Sequence, residues 1–106
     1  MGPGLARAYY LGMKTAREVQ QHVRAELDRA CTFAKELDAE GPEYGSEGAA
    51  AAFAVVAEVV RRGAPEPDET ADAWCRRVRE LASQKLEEHG NRTPAAFEAL
   101  AMIRGE

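Results

Sequence analysis

The stretch GSEGAAAAFAVVAEVVRRG, residues 45–63, decides the architecture of this chain. Between Ala49 and Val60 its only polar side chain is Glu58. Alanine is the strongest helix former, and two arginines followed by a glycine are typical of a helix C-terminus. The stretch therefore predicts a helix over about 47–62 that has no polar face to turn toward water. Either the rest of the chain surrounds this helix, or a second chain covers its outer side.

Three further helices are marked by the residues at their ends and by apolar stripes. Thr15 and Glu18 have the spacing of a capping box, and Thr93 before Pro94 is typical of an N-cap followed by a first-turn proline. Acidic residues from Asp68 onward favour another helix start, because the helix dipole attracts anions there. The three helices are expected over about 15–38, 68–89 and 94–103.

Length and composition complete the expected fold. The chain has 106 residues, which is the size of one domain, and 21 of them are alanine. We expect an all-α fold, a compact four-helix bundle over 1–106 with a short apolar segment over 1–14. The helix over 47–62 lies at the centre of the bundle or at the interface of a homodimer. Since few amphipathic helices are available to wrap it, a homodimer is the favoured interpretation.

The segment over 1–14 contains more large apolar residues than is typical of a terminal segment that makes no contacts. They are Leu5, Tyr9, Tyr10, Leu11 and Met13. We expect this segment to pack on the bundle or on a second copy of the chain. It lacks the uninterrupted apolar run of a signal peptide, and the run over 49–60 is shorter than the roughly 20 residues of a membrane span. The chain is therefore expected to be cytoplasmic and not to bind a membrane.

The charge pattern disfavours nucleic acid and favours a basic protein partner. The net charge is −4, so the chain should not be attracted to nucleic acid. Region 41–72 holds seven acidic residues and two arginines. On the third helix, Arg76 is expected to pair with Asp72 and Glu80, which neutralises part of the densest basic cluster. We expect the acidic region to face a basic partner.

The pattern that most resembles a chemical site is Glu18, His22 and Glu26, spaced four residues apart on the first helix. This spacing aligns three possible metal ligands, but it is also that of a solvated flank with an i,i+4 Glu–His pair. No Gly-rich phosphate loop or Ser–His–Asp order is present, and Cys31 and Cys75 fall on apolar stripes typical of buried thiols. We expect no enzymatic activity, no cofactor and no metal.

The candidate interface residues are the bulky apolar residues of the two most apolar helices, with one aromatic residue from an acidic loop. They are Tyr44, Phe53, Val56, Val59, Val60, Phe97, Leu100 and Ile103. Together with the charge pattern they predict a non-enzymatic, homodimeric module that also binds another protein. Two alternatives stay open. One is a bundle that binds an apolar small molecule between its helices, and the other is an acidic inhibitor of a nucleic-acid-binding protein.

Overall fold

The computed structural model describes residues 15–40 and 48–104, with the backbone alone over 38–40. These residues form four α-helices and no strand. The helices are α1 (Ala16–Glu40), α2 (Ala49–Arg62), α3 (Ala71–Glu88) and α4 (Pro94–Ala101). The expected all-α fold is confirmed, whereas the segment over 1–14 and Tyr44 lie outside the described residues. None of the four helices has both the length and the apolar character needed to cross a membrane.

The starts of α1 and α4 are fixed by the caps that the sequence predicts. The Glu18 N–H donates to the Thr15 hydroxyl at 3.1 Å, and the Thr15 N–H donates to the Glu18 carboxylate at 3.0 Å. At α4, the Thr93 hydroxyl accepts from the Ala96 N–H at 3.3 Å, and Pro94 is the first helical residue. Each cap satisfies backbone N–H groups that no helical carbonyl reaches, so it stabilises the first turn.

Helices α2 and α3 start later than the sequence predicts. Gly48 has a φ of 83°, a left-handed conformation, so the helical run of α2 begins only after it. Before α3, the Glu69 carboxylate accepts from the Glu66 N–H at 3.0 Å in a separate turn. The N-cap of α3 is Thr70. The predicted starts near 47 and 68 are therefore wrong by two and three residues, because a glycine and a short acidic turn precede the helices.

Helix α2 is the central helix, since it contacts α1, α3 and α4. Its inner face is buried and meets the apolar stripes of the other three helices. The buried residues are Ala52, Phe53, Val56 and Val60 from α2, Ala16, Val19, Val23, Leu27 and Ala34 from α1, Trp74, Cys75, Val78, Ala82 and Leu86 from α3, Ala95, Ala96 and Ala99 from α4, and Ile103 after it. These contacts agree with the expected bundle, and its core combines branched aliphatic residues with Phe53, Trp74 and several alanines.

The connection between α2 and α3 is held against α3 by two side chains. Trp74 has no exposed surface, and its indole N–H donates to the Gly63 carbonyl at 2.6 Å. The Arg77 guanidinium donates to both carboxylate oxygens of Glu69 at 2.8 Å and to the Ala64 carbonyl at 3.2 Å. These bonds satisfy carbonyls just beyond the end of α2, so they fix the position of α3 relative to α2.

The beginning and end of α4 are attached to other helices by side-chain hydrogen bonds. The Asn91 amide donates to the Gly48 carbonyl at 3.1 Å, and it accepts from the Thr93 hydroxyl at 2.8 Å. The Arg79 guanidinium donates to the Ile103 carbonyl at 2.6 Å. Helix α4 is therefore joined to the start of α2 at one end and to α3 at the other.

Candidate interaction surface

The side of α2 that faces away from the core is only partly covered. Ala51 and Ala54 are exposed, and Glu58 is half-buried. Their spacing of three and four residues places them on one side of the helix, and we call this side the outer flank of α2. The chain therefore does not cover α2 around its whole circumference, as the central-helix interpretation required. Alanine is tolerated at such a surface because little apolar area is exposed with it.

A groove of about 650 Å3 lies between the outer flank of α2 and α3. Its apolar floor consists of Ala54, Val55 and Val59 from α2 and Leu81 from α3. Leu81 belongs to the apolar stripe of α3, yet 43% of its surface is exposed. It lies at the edge of that stripe, on the side where α3 faces the groove and not the core. We call this feature the α2–α3 groove.

The rim of the groove carries both signs of charge. Its polar lining consists of Glu58, Arg62, Arg77, Lys85 and His89. Hydrogen bonds from Arg61 and from Arg62 hold the pKa of the Glu58 carboxyl below its usual value. The Lys85 Nζ lies 3.5 Å from the Glu88 carboxylate, and the His89 Nδ1–H donates to the Lys85 carbonyl at 2.9 Å. One acidic and several basic groups thus surround an apolar floor.

The strongest ion pair at this rim joins Arg77 to the connection before α3. Two hydrogen bonds from Arg77, with one from a backbone N–H, lower the pKa of Glu69 from 4.5 to about 2. The sequence did not indicate this pair, since the two residues are eight apart and are separated by a helix start. The expected pairs of Arg76 with Asp72 and Glu80 are not formed among the residues that the structure describes.

The seven predicted interface residues that the structure describes fall into different environments. Phe53, Val56, Val60 and Ile103 lie in the chain's own core, with 7% or less of their surface exposed. Val59 and Leu100 are half-buried, and Phe97 is 67% exposed. These four are packed inside the single chain, and their contact with a partner stays a prediction. Val59 is the member of the set that reaches the α2–α3 groove.

Two exposed aromatic rings lie outside the groove. Phe97 stands on α4 beside Leu100, and Phe33 stands on α1 beside Arg29 and Glu36, with 61% of its surface exposed. The flank of α1 around Phe33 is otherwise polar. Phe97 borders a pocket of about 230 Å3 that also includes Leu86, Ala96 and Leu100, whereas the α2–α3 groove measures about 650 Å3. The groove is thus a more extended apolar surface than those around Phe97 and Phe33.

The three candidate metal ligands on α1 do not form one cluster. The Glu18 carboxylate is occupied by the capping box, and the His22 Nε2 lies 3.4 Å from the Glu26 carboxylate. Glu18 and Glu26 are eight residues apart, about 12 Å along a helix, which is too far for one ion. Within the described residues, no three His, Cys, Asp or Glu side chains come together as a metal site. The arrangement is the solvated flank with a Glu–His pair.

Both cysteines are free thiols on the inner sides of their helices. Cys75 is buried, and burial raises the pKa of its thiol, so it stays protonated near neutral pH. Cys31 is half-buried, with its Sγ 3.6 Å from the Ala50 carbonyl. The predicted burial is confirmed for Cys75, and Cys31 is more accessible than expected. A protonated thiol is a poor nucleophile, so Cys75 is suited to packing.

The chain was compared with protein-family models, curated proteins and solved structures. No family model, curated protein or solved structure matches it. Its function therefore has to be inferred from the chemistry of its own surface. The apolar floor and mixed-charge rim of the α2–α3 groove are the features on which such an inference can rest.

Proposed function

We propose that this chain is a non-enzymatic protein-interaction module that binds a second copy of itself through the α2–α3 groove and the outer flank of α2. The observation that carries the proposal is the exposed apolar floor of the groove on the central helix, where Leu81 is 43% exposed. Covering such a surface removes apolar area from water and lowers the free energy of the assembly. The flank residues Ala51 and Ala54 are small, so a second helix can approach the backbone of α2 closely.

The charges around the groove favour a second copy as the partner. In a two-fold dimer the same surface meets itself, so a self-complementary surface must carry both signs of charge. The rim has Glu58 on α2 and the bases Arg62 and Lys85 on its two sides. Because both signs are present, a two-fold axis through the groove can place Glu58 of one copy opposite a base of the other. A partner with one sign of charge only would leave part of this rim unmatched.

Self-association is tested by light scattering at two protein concentrations. The parent chain is expected to shift from a monomeric toward a dimeric mass as its concentration rises. Leu81→Glu should stay monomeric at both concentrations, since it places a charge on the apolar floor. Phe33→Glu, which changes an exposed ring outside the groove, should associate like the parent. A strictly monomeric parent at the higher concentration contradicts the proposal, as does equal association of the parent and Leu81→Glu.

A second, basic protein partner is proposed for the acidic region over 41–72. Two of its carboxylates, Glu58 and Glu69, are already paired with arginines. The exposed carboxylates of Glu66, Asp68 and Asp72 support a narrower contact at the connection between α2 and α3. Binding of a lysine-rich peptide should weaken as salt is added. It should also weaken in Glu66→Gln combined with Asp68→Asn, and unchanged binding removes both this contact and the acidic-inhibitor alternative.

The volume of the groove favours one alternative function. Sites for small molecules commonly measure about 300–1,000 Å3 and are lined mainly by apolar side chains. The α2–α3 groove, at about 650 Å3, lies within this range. Native mass spectrometry of freshly purified chain is the discriminating measurement. An apolar small molecule retained by the parent and lost from Leu81→Glu would favour ligand binding over self-association.

A further inference from the structure

The α2–α3 groove has an intramolecular candidate for its occupant. We infer that residues 1–14 of the same chain bind in the groove and compete there with the second copy. The competition rests on the self-association proposed above, whereas the binding of the segment does not. The segment is a regulatory element in this interpretation, since displacing it frees the surface through which two copies associate.

The end of the segment is close enough to reach the groove. Helix α1 starts beside the last turns of α2, because the Gln20 amide donates to the Val60 carbonyl at 2.9 Å. Val59, the residue before Val60, lines the groove. Arg61, the residue after it, pairs with Glu58 at the rim. The segment over 1–14 joins α1 at this end and spans up to about 45 Å when extended.

The length of the groove is well within that span. On α3 it is lined from Arg77 to His89, which is about 18 Å at a helical rise of about 1.5 Å per residue. Fourteen residues can therefore run along the whole groove from the end at which α1 begins. The large apolar residues Tyr9, Tyr10 and Leu11 lie only a few residues before α1, so they are the ones nearest to the apolar floor.

The charges of the segment match the end of the groove at which it enters. The segment contains Arg7 and Lys14 and no acidic residue. The connection between α2 and α3, which follows the last turn of α2, exposes the carboxylates of Glu66 and Asp68. Opposite charges favour the segment at this end only. Farther along, the rim carries Lys85 and His89, so binding there depends on the apolar residues of the segment. The same carboxylates are proposed above to bind a basic partner, so such a partner also displaces the segment.

Covalent attachment makes a weak contact sufficient. A segment joined to the bundle by a short linker has an effective concentration in the millimolar range at a nearby surface. A second copy of the chain has to compete from free solution, at whatever concentration the protein has. The segment should therefore keep the groove covered in dilute protein, and the second copy should displace it only as the concentration rises.

The test measures how fast a thiol in the groove is labelled by a maleimide in the folded, full-length chain. The labelled position is Leu81→Cys in a Cys31→Ser background, where Cys75 is only 3% exposed. The rate with the native segment is compared with that of Tyr10→Asp combined with Leu11→Asp. The native segment should slow labelling about tenfold, as expected for a groove that is open about a tenth of the time. Phe33→Cys, outside the groove, should label equally fast with both segments.

A second groove position and a second concentration make the outcome decisive. Ala54→Cys repeats the measurement in case the loss of Leu81 itself weakens binding of the segment. Segment-dependent protection at either position at the lower protein concentration supports the inference. At the higher concentration the second copy should protect the groove with either segment, so the difference between the two segments should shrink. Equal rates with the native and the acidic segment at both positions overturn it. Protection that depends only on protein concentration also overturns it, but it supports self-association. Segment-dependent protection in a chain that stays monomeric when the segment is displaced supports the inference and overturns the proposed function.

Discussion

The two faces of α2 both carry apolar residues, but those residues differ in size and the two faces have opposite surroundings. The inner face places Val56 and Val60 in the core without exposed surface, whereas the outer flank leaves Ala51 and Ala54 open to solvent. Burying a valine stabilises the fold by about 1.5–3 kcal/mol, and an alanine contributes much less. The bulky residues therefore determine which face turns inward. An apolar helix is not necessarily a fully buried helix, since small residues can be left on its open side.

The largest expected effect comes from charging the inner face. Val56→Glu places a carboxylate where no solvent or partner reaches it, so it should destabilise the fold by more than about 4 kcal/mol. Ala51→Glu makes the same change on the outer flank and should alter the stability by less than about 0.5 kcal/mol. Circular dichroism in urea measures both. If the two variants lose similar stability, the described difference between the faces of α2 is wrong.

The next effect concerns the buried tryptophan beside the end of α2. Trp74→Phe keeps an aromatic ring in the core but removes the donor to the Gly63 carbonyl and leaves a small cavity. The expected loss is about 2–3 kcal/mol. Circular dichroism is again the measurement, because Trp74 is the only tryptophan of the chain. Phe97→Leu, on an exposed ring, is the matched control and should change little.

A smaller effect sharpens the description of how α2 begins. Gly48→Ala puts a side chain on a left-handed residue, and its Cβ would lie 3.0 Å from the Thr93 Cγ2, so we expect a loss of about 2 kcal/mol. Gly90→Ala has the same kind of backbone, with a φ of 65°, but no neighbour within 4 Å, and should lose about 1 kcal/mol.

A double variant separates the backbone cost from the contact with Thr93. Thr93→Ser removes the methyl group that the new Cβ would meet, and it keeps the capping hydroxyl. In this background Gly48→Ala should cost about 1 kcal/mol, like Gly90→Ala, when unfolding is followed in urea. If Gly48→Ala lowers the unfolding free energy equally with Thr93 and with Ser at that position, the packing of α4 against the start of α2 is looser than described.

The smallest effect on stability is expected from the ion pair between Glu69 and Arg77. The pKa of Glu69 is lowered to about 2 in the folded chain, chiefly by its hydrogen bonds from Arg77. The stabilisation is therefore complete above the ordinary value of 4.5 and is lost as the pH falls toward 2. Glu69→Gln should flatten the dependence of the unfolding free energy on pH in this range. An equally steep acid limb in this variant would mean that the pair with Arg77 is not maintained in solution.

The sequence predicts those features of the fold that depend only on residues close together along the chain. The caps at Thr15 and Thr93 were predicted correctly because an N-cap needs only a hydroxyl and the next few N–H groups. The start of α3 was misplaced because Asp68 and Glu69 look like partners for a helix dipole. The nearby Thr70 is also a good cap residue and carries the signal that was missed. Local chemistry thus identifies the helix but leaves several start positions open.

The candidate site was harder to predict, since it depends on the rotation of one helix against another. Leu81 lies at the edge of an apolar stripe, and the sequence does not tell which edge a neighbouring helix covers. The pair of Glu69 and Arg77 depends on the path of the connection, which has no periodic pattern. The one local signal for the outer flank was the alanine pair, Ala51 and Ala54, opposite Val56. Choosing interface residues by bulk selected core residues instead.

The hydrogen bond from Asn91 to the Gly48 carbonyl has a consequence for the order in which the chain assembles during synthesis. The two residues are 43 positions apart, so the first turn of the central helix lacks this partner until the chain through residue 91 has left the ribosome. Helices α1 and α2 can pair earlier, but their valines then have no tryptophan to pack against. The apolar surface of the emerging α1–α2 hairpin is thus exposed and can bind a chaperone. It is buried only when α3 and α4 have been synthesised and pack against it.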